Sequence, residues 1–220
     1  MNNISSEIVE KWLTGWALSR ELPLPVKFKS GFKVDVGYEN QKTRYVFCEL
    51  NDDFVRLSKS IDEPWIFLKV CASIDTVRNI VPEKWEIRPQ GYMMHCFQQM
   101  NIPEISLPDD YKLEFDHYNS TYVARIISPN KEPVSVGRVI LVDNLAIYDR
   151  ILTEENYRRK GLATMVMKEL EKIALSKGVF RNFLVATEQG KELYKAIGWK
   201  VDSYYTSLVI PKRNPLIHNE

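Results

Sequence analysis

Apolar positions along this chain follow helical and strand periods in alternation. Near the start, Ile8, Trp12 and Trp16 recur every four residues and predict an amphipathic helix, followed by a Pro-rich turn at residues 22–25. Residues 45–50 read as a strand, with Asn51 or Asp52 placed to cap a helix over 54–61. The run 64–72 is again strand-like, Ser73 or Asp75 opens a second helix reaching Ile80, and residues 92–97 form another strand candidate. Past a connection at 103–110, strands over 113–118 and 122–127 follow each other almost directly. A strand over 145–152 leads to a helix with Leu162, Val166, Leu170 and Ile173 on one face, ending at Gly178, a residue suited to a C-terminal cap. Residues 183–186 are apolar without interruption, as in a strand covered on both faces. A short helix over 187–198 stops at Gly198 and leads into a last pair of strands.

The chemistry concentrates between the strand at 145–152 and the helix behind it, in Tyr157-Arg158-Arg159-Lys160-Gly161-Leu162-Ala163. A helix N-terminus carries backbone N–H groups without intrahelical partners and a partial positive charge, so a phosphate placed there is held by amides and dipole together. Gly161 lets a ligand approach the backbone, Ala163 keeps the first turn thin, and Arg158, Arg159 and Lys160 add charge-assisted donors.

At these residues the chain resembles the GCN5-related N-acetyltransferase (GNAT) superfamily. The matching features are the R-x-x-G-x-A turn, the helix behind it, the apolar strand at 183–186, and Leu193-Tyr194 followed by Gly198-Trp199. The resemblance runs over about residues 111–211 and is strongest over 149–199. It implies an α/β (α+β) fold with a mixed β-sheet flanked by helices, and acetyl-CoA as co-substrate, with its pyrophosphate on the turn Arg158–Thr164. The cofactor residues it implies are Ile151, Leu152, Thr153, Arg158, Arg159, Lys160, Gly161, Leu162, Ala163, Thr164, Thr187 and Gly190. Tyr194 takes the place of the tyrosine that protonates the departing thiolate, and a backbone N–H at 151–153 that of the oxyanion donor. The implied reaction is direct transfer of an acetyl group to an amine.

Three positions depart from the family pattern. Thr187 stands where many relatives have an asparagine that touches the pantetheine arm, and Ala163 where the turn often has a second glycine. The two helices usual between the first and second strands are missing between 118 and 122, so the acceptor-binding helices are expected from residues 1–105. That half has no phosphate turn; its element order suggests an α/β subdomain, a degenerate copy of the same fold, packed on a catalytic half at 106–220. For the base that deprotonates the acceptor, Asp149 is preferred, because strand alternation sets it on the face of Ile147 and Ile151. His117, Glu154 and Glu155 are the alternatives, and Asp149 also has the simpler use of pairing with Arg150 or another cation.

Composition narrows the partners. Thirty Lys and Arg against twenty-nine Asp and Glu leave no basic footprint for nucleic acid. The chain has no membrane-length apolar run and no signal-type start at Met1–Ser5, so a cytoplasmic protein is expected. Cys48, Cys71 and Cys96 sit in apolar runs and read as buried free thiols. His95, His117 and His218 lack the spacing of a metal site, and His218 belongs to a polar tail at 213–220. An amine on a small molecule or a peptide is the expected acceptor; a non-catalytic acyl-CoA-binding sensor is the alternative to an enzyme. The sequence identifies neither the acceptor nor the oligomeric state.

Overall fold

A computed structural model of the chain describes residues 4–212. In order, its elements are α1 (Ser6–Leu18), β1 (Val26–Phe28), β2 (Gly31–Tyr38), β3 (Gln41–Phe47), α2 (Asp52–Ser60), β4 (Ile66–Val70), α3 (Ile74–Arg78), β5 (Glu86–Ile87) and β6 (Gly91–Cys96). They continue with β7 (Lys112–Tyr118), β8 (Thr121–Ile127), β9 (Pro133–Val142), β10 (Leu145–Thr153), a 3₁₀ turn (Glu155–Tyr157), α4 (Leu162–Ser176), β11 (Arg181–Thr187), α5 (Glu188–Ala196) and β12 (Lys200–Val209). Short polar side chains start four of the five α-helices. Ser5, Asn51, Ser73 and Thr187 each accept from an amide three residues ahead, as an N-cap does. No side chain caps α4.

The strands form one sheet in the order β1-β2-β3-β4-β12-β6-β11-β10-β9-β8-β7, with β5 also on β12. Two parallel pairs interrupt an otherwise antiparallel ladder, β3 with β4 and β10 with β11, each crossing over through a helix. The order is therefore nearly palindromic about the central pair β12 and β6. The expected last pair of strands is a single strand, β12; its partners are β4, β5 and β6, all from the N-terminal side of the chain. β6 also pairs with β11, so the sheet passes without a break over the expected division at residue 105.

The two faces of the sheet are covered differently. On one, α4 packs over β8, β9 and β10, and Met165, Val166 and Leu170 join Ala124, Ile126 and Val139 in the largest core. On the other, α1 lies over β9 and β10, with Trp12, Leu13 and Trp16 against Ile140, Ile147 and Phe183. Gly15 permits this approach, because a Cβ there would sit 2.8 Å from Ile147 Cγ1. No helix lies between β7 and β8, and α1 covers the face of β9 and β10 opposite α4. The segment after β6 is strapped to α4, with the Met100 N–H donating to Glu171 at 2.6 Å and Lys168 Nζ to the Ile105 carbonyl at 3.2 Å.

Cys96 is buried and Cys48 and Cys71 half-buried, and all three are free thiols. His95 is half-buried beside Asp202, with Nδ1 at 2.7 Å from Oδ2, and His117 stacks on Tyr122 at 4.4 Å between centroids. His218 and the tail at 213–220 lie outside the described residues. Among the described residues, no group of His, Cys, Asp and Glu could hold a metal ion, and no helix is long and apolar enough to cross a membrane.

Candidate functional site

β10 and β11 run in parallel register only from Leu145 with Arg181 to Tyr148 with Leu184. Beyond that point β11 keeps its ladder with β6 as far as Thr187, while β10 kinks. The kink is a bulge between Asp149 and Leu152 in the pairing with β9, with Arg150 at φ 52° in the left-handed region. A β-bulge bends a strand and re-aims its side chains, and here it separates the two parallel strands. The cleft opened in this way has a volume of about 580 Å³.

Three groups of residues line it: Ile151, Leu152 and Thr153 from the end of β10; Arg158, Arg159, Gly161, Leu162, Ala163 and Thr164 from the turn into α4; and Thr187, Gly190 and Tyr194 from β11 and α5. Tyr157, Gln189 and Leu193, which sequence reasoning did not assign, complete the wall. Lys160 does not line the cleft; its ammonium lies 5.0 Å from the Tyr157 ring. The first intrahelical bond of α4 is Met165 N–H to the Gly161 carbonyl at 2.9 Å, so the amides before it are free of backbone partners within the helix. Gly161 itself has φ 76°, and a Cβ there would meet Ile105 Cδ1 at 2.5 Å. Its small size thus serves the turn's backbone and the strap over α4. The Arg158 Nε–H donates to the Thr153 carbonyl at 3.1 Å and ties the turn to the end of β10.

Thr187 is committed as the cap of α5, where its hydroxyl accepts from the Gly190 N–H at 3.1 Å. Its hydroxyl proton and one remaining lone pair are left to offer a ligand. Gly190 makes room for Tyr194, whose Cε2 would lie 3.2 Å from a Cβ at that position. Tyr194 is 7% exposed, packs at 5.9 Å from the Trp199 ring, and among the described residues its hydroxyl has no hydrogen-bond partner. Burial pushes the Tyr194 phenol above the usual tyrosine range, with the Asp149 charge adding to it, so the proton is present at neutral pH.

Asp149 is not on the face of Ile151. The bulge between them reverses the alternation: Ile151 reaches the α4 side, where its Cδ1 lies against Gly137, whereas Asp149 turns toward α1. There Arg20 donates to both carboxylate oxygens, with Nη2 to Oδ1 at 3.3 Å, and the Ser19 hydroxyl donates to Oδ2 at 2.6 Å. The cation that pairs with Asp149 is thus Arg20, 129 residues away in sequence, and not the adjacent Arg150. A role as proton acceptor first requires this pair to open. Glu154 and Glu155 are exposed residues outside the cleft wall.

Residues 81–199, more than half of the chain, match the sequence model of the acetyltransferase (GNAT) family. The match begins about thirty residues before the resemblance noted above and takes in β6. A curated relative, the uncharacterized protein YyaT of Bacillus subtilis (strain 168), is 27% identical over 99 residues, which cover 45% of this chain and 66% of that protein, slightly under two thirds of its length. Among solved structures, a GCN5-related N-acetyltransferase from Kribbella flavida superposes with a TM-score of 0.68 at 13% identity, over 96% of this chain and 97% of that one. A functionally unknown conserved protein from Staphylococcus epidermidis ATCC 12228 gives 0.62 at 11% identity, over 94% and 97%. At such identities these structures speak for the fold, and the family match adds the chemistry of acyl transfer: the chain belongs to the acetyltransferase (GNAT) family.

Proposed function

We propose that the protein is an acetyl-CoA-dependent N-acetyltransferase that moves the acetyl group directly to an amine. The observation that carries this reading is the convergence, in one cleft, of parted parallel strands, a helix N-terminus left uncapped, and a tyrosine hydroxyl without a partner. Acetyl-CoA, when bound, supplies the activated acetyl group. The chain's own groups then divide the work. The amides of Leu162, Ala163 and Thr164 hold the pyrophosphate, with Arg158 and Arg159 at the rim. A backbone N–H of 151–153 meets the charge that develops on the carbonyl oxygen. As the N–C bond forms and the C–S bond breaks, Tyr194 gives its proton to sulfur. We assign the acceptor side to the face under α1, and residues 1–105, read as a degenerate copy of the fold, supply that helix in place of the two missing after β7.

Asp149 remains in this proposal as the group that meets the acceptor ammonium. Asp149→Asn is expected to lower kcat/KM about tenfold at pH 7 and to recover partly as pH rises and the free amine becomes abundant. Arg20→Gln separates this from mere support of Arg20, since a structural role for the pair would give both variants the same pH-independent loss. Tyr194→Phe is expected to keep acetyl-CoA affinity and to lower kcat about a hundredfold, the lower end for general acid catalysis. Thiol release from acetyl-CoA over a panel of amines is the direct test; saturable acetyl-CoA binding with no amine turned over would leave only a binding module.

A further inference from the structure

The face of the sheet under α1 carries an unbalanced group of buried cations. Arg44, on β3, and Lys69, on β4, are each only 8% exposed. Parallel pairing of Val46 with Lys69 puts Arg44 and Lys69 on the same face of the sheet. Arg44 Cζ lies 3.6 Å from the centroid of Trp16, and Arg20 Cζ lies 4.4 Å from the same ring, so Trp16 joins the two guanidiniums. Lys69 Nζ donates to Ser207 and lies 5.5 Å from the Tyr205 ring. Among the described residues neither Arg44 nor Lys69 has a carboxylate in ion-pair contact, and the Tyr205 hydroxyl is buried without any partner. Burial, followed by the charges of Arg44, Arg20 and Arg88, pushes Lys69 well below the usual lysine range. Burial likewise brings Arg44 down to about 10, opposed first by Tyr205 and only last by Asp149, with Arg20 adding to the lowering. Among the described residues Asp149 is the carboxylate that acts on Arg44, and Arg20 already engages both of its oxygens.

Burying basic groups without counter-charges disfavours their charged forms, and an anion seated among them would offset that cost and restore the charge. Asp149 links the two regions: it lies on β10 just before the bulge that opens the cleft, and its carboxylate is held by Arg20, which shares the Trp16 ring with Arg44. The rim at Arg20 and Asp149 opens to solvent, with side chains 14% and 17% exposed. We propose that Arg44, Lys69 and the Tyr205 hydroxyl form an anion subsite for the acceptor, so that the natural substrate is an amine that also carries a carboxylate or a phosphate. The anion sits under Trp16, and the amine then lies at Asp149, toward the thioester end of the cleft. The assignment rests on the reading of the α1 face as the acceptor side.

Binding tests it without any turnover. The full chain is saturated with coenzyme A, so that the α4 turn is filled, and titrated by calorimetry with succinate and with inorganic phosphate. One of the two is expected to bind saturably, which names the anion. Arg44→Gln is expected to weaken that binding tenfold to a hundredfold, the loss of a charge-assisted contact, while coenzyme A affinity stays as in the wild type and reports an intact fold. Arg44→Lys, which keeps the charge but loses the fork, is expected to weaken it several-fold and serves if the glutamine variant does not fold. Binding of neither anion, or equal affinity in wild type and both variants, overturns the subsite. Turnover then separates the two proposals. L-Lysine against cadaverine, and O-phosphoethanolamine against ethanolamine, compare amines with and without the anion. A preference of at least tenfold for one anionic member, lost in Arg44→Gln through a raised KM, supports the subsite. Equal use of charged and uncharged amines overturns the subsite and leaves acetyl transfer standing; anion binding that depends on Arg44 with no amine acetylated sinks the transfer and keeps the subsite.

Discussion

A fragment beginning at Leu107 is expected to be insoluble and inactive, although it contains every residue that lines the cleft. It lacks β6, and with it the ladder that joins β11 to β12. It also lacks α1, which leaves Ile140, Leu145, Ile147 and Phe183 facing water where they are now at most 1% exposed. At about 1.5–3 kcal/mol for each large apolar side chain, the loss from these four and from β6 is comparable with the whole stability of a typical domain, about 5–15 kcal/mol. Soluble expression, circular dichroism and gel filtration measure the outcome. A folded, monomeric fragment that still acetylates amines would make the first 105 residues an appendage and remove them from the acceptor side.

The parts of the fold legible in the sequence are those in which local chemistry decides. The capped helices α2, α3 and α5 begin at or beside the residues named for them, α1 carries the predicted Ile8, Trp12 and Trp16, and Gly178 ends α4 at φ 74° because a left-handed residue closes a helix at little cost with glycine. The cleft walls follow from the same strand, turn and helix, and only Lys160 among the expected cofactor residues stands outside them. Strand pairing was not legible, since nothing in residues 91–96 says that they lie between β11 and β12; that register is set by contacts distant in sequence. β2 went unread although Phe32, Val34 and Val36 alternate and are all buried, a period-two signal that was available. β9 went unread as well, a ten-residue strand between two hairpin turns. The bulge at Asp149 had no signal, because the residue that takes the left-handed conformation is Arg150 and not a glycine. That one position decided the face of Asp149. The cation group under α1 was equally hidden, its members coming from α1, β3, β4 and β12 and meeting only in the folded sheet.

Replacing Gly161 by valine is expected to weaken acetyl-CoA binding about a thousandfold. At φ 76° an L-residue pays for the left-handed conformation, and a β-branched one most of all. Its Cβ would also start 2.5 Å from Ile105 Cδ1, in the segment that straps α4. The turn relieves both by rotating its peptides toward negative φ, which turns the first α4 amides away from the phosphate position. Losing two charge-assisted bonds of about 2 kcal/mol each amounts to about a thousandfold. Gly161→Ala brings a smaller backbone cost, about 1 kcal/mol, and its Cβ meets only the Ile105 Cδ1 methyl, the far end of a side chain that can rotate away, so it is expected to lose severalfold to tenfold. Adding Ile105→Ala to the valine variant removes the clash but not the strain, so it should recover only a minor part of the affinity. The far-UV spectrum should be unchanged throughout, because the turn is on the surface and α4 is held by Val166, Met167 and Leu170, all fully buried. Calorimetric titration with acetyl-CoA reads the series. A valine variant that binds acetyl-CoA like the wild type would mean that the uncapped start of α4 is not where the pyrophosphate lies, and the cleft would then need another ligand.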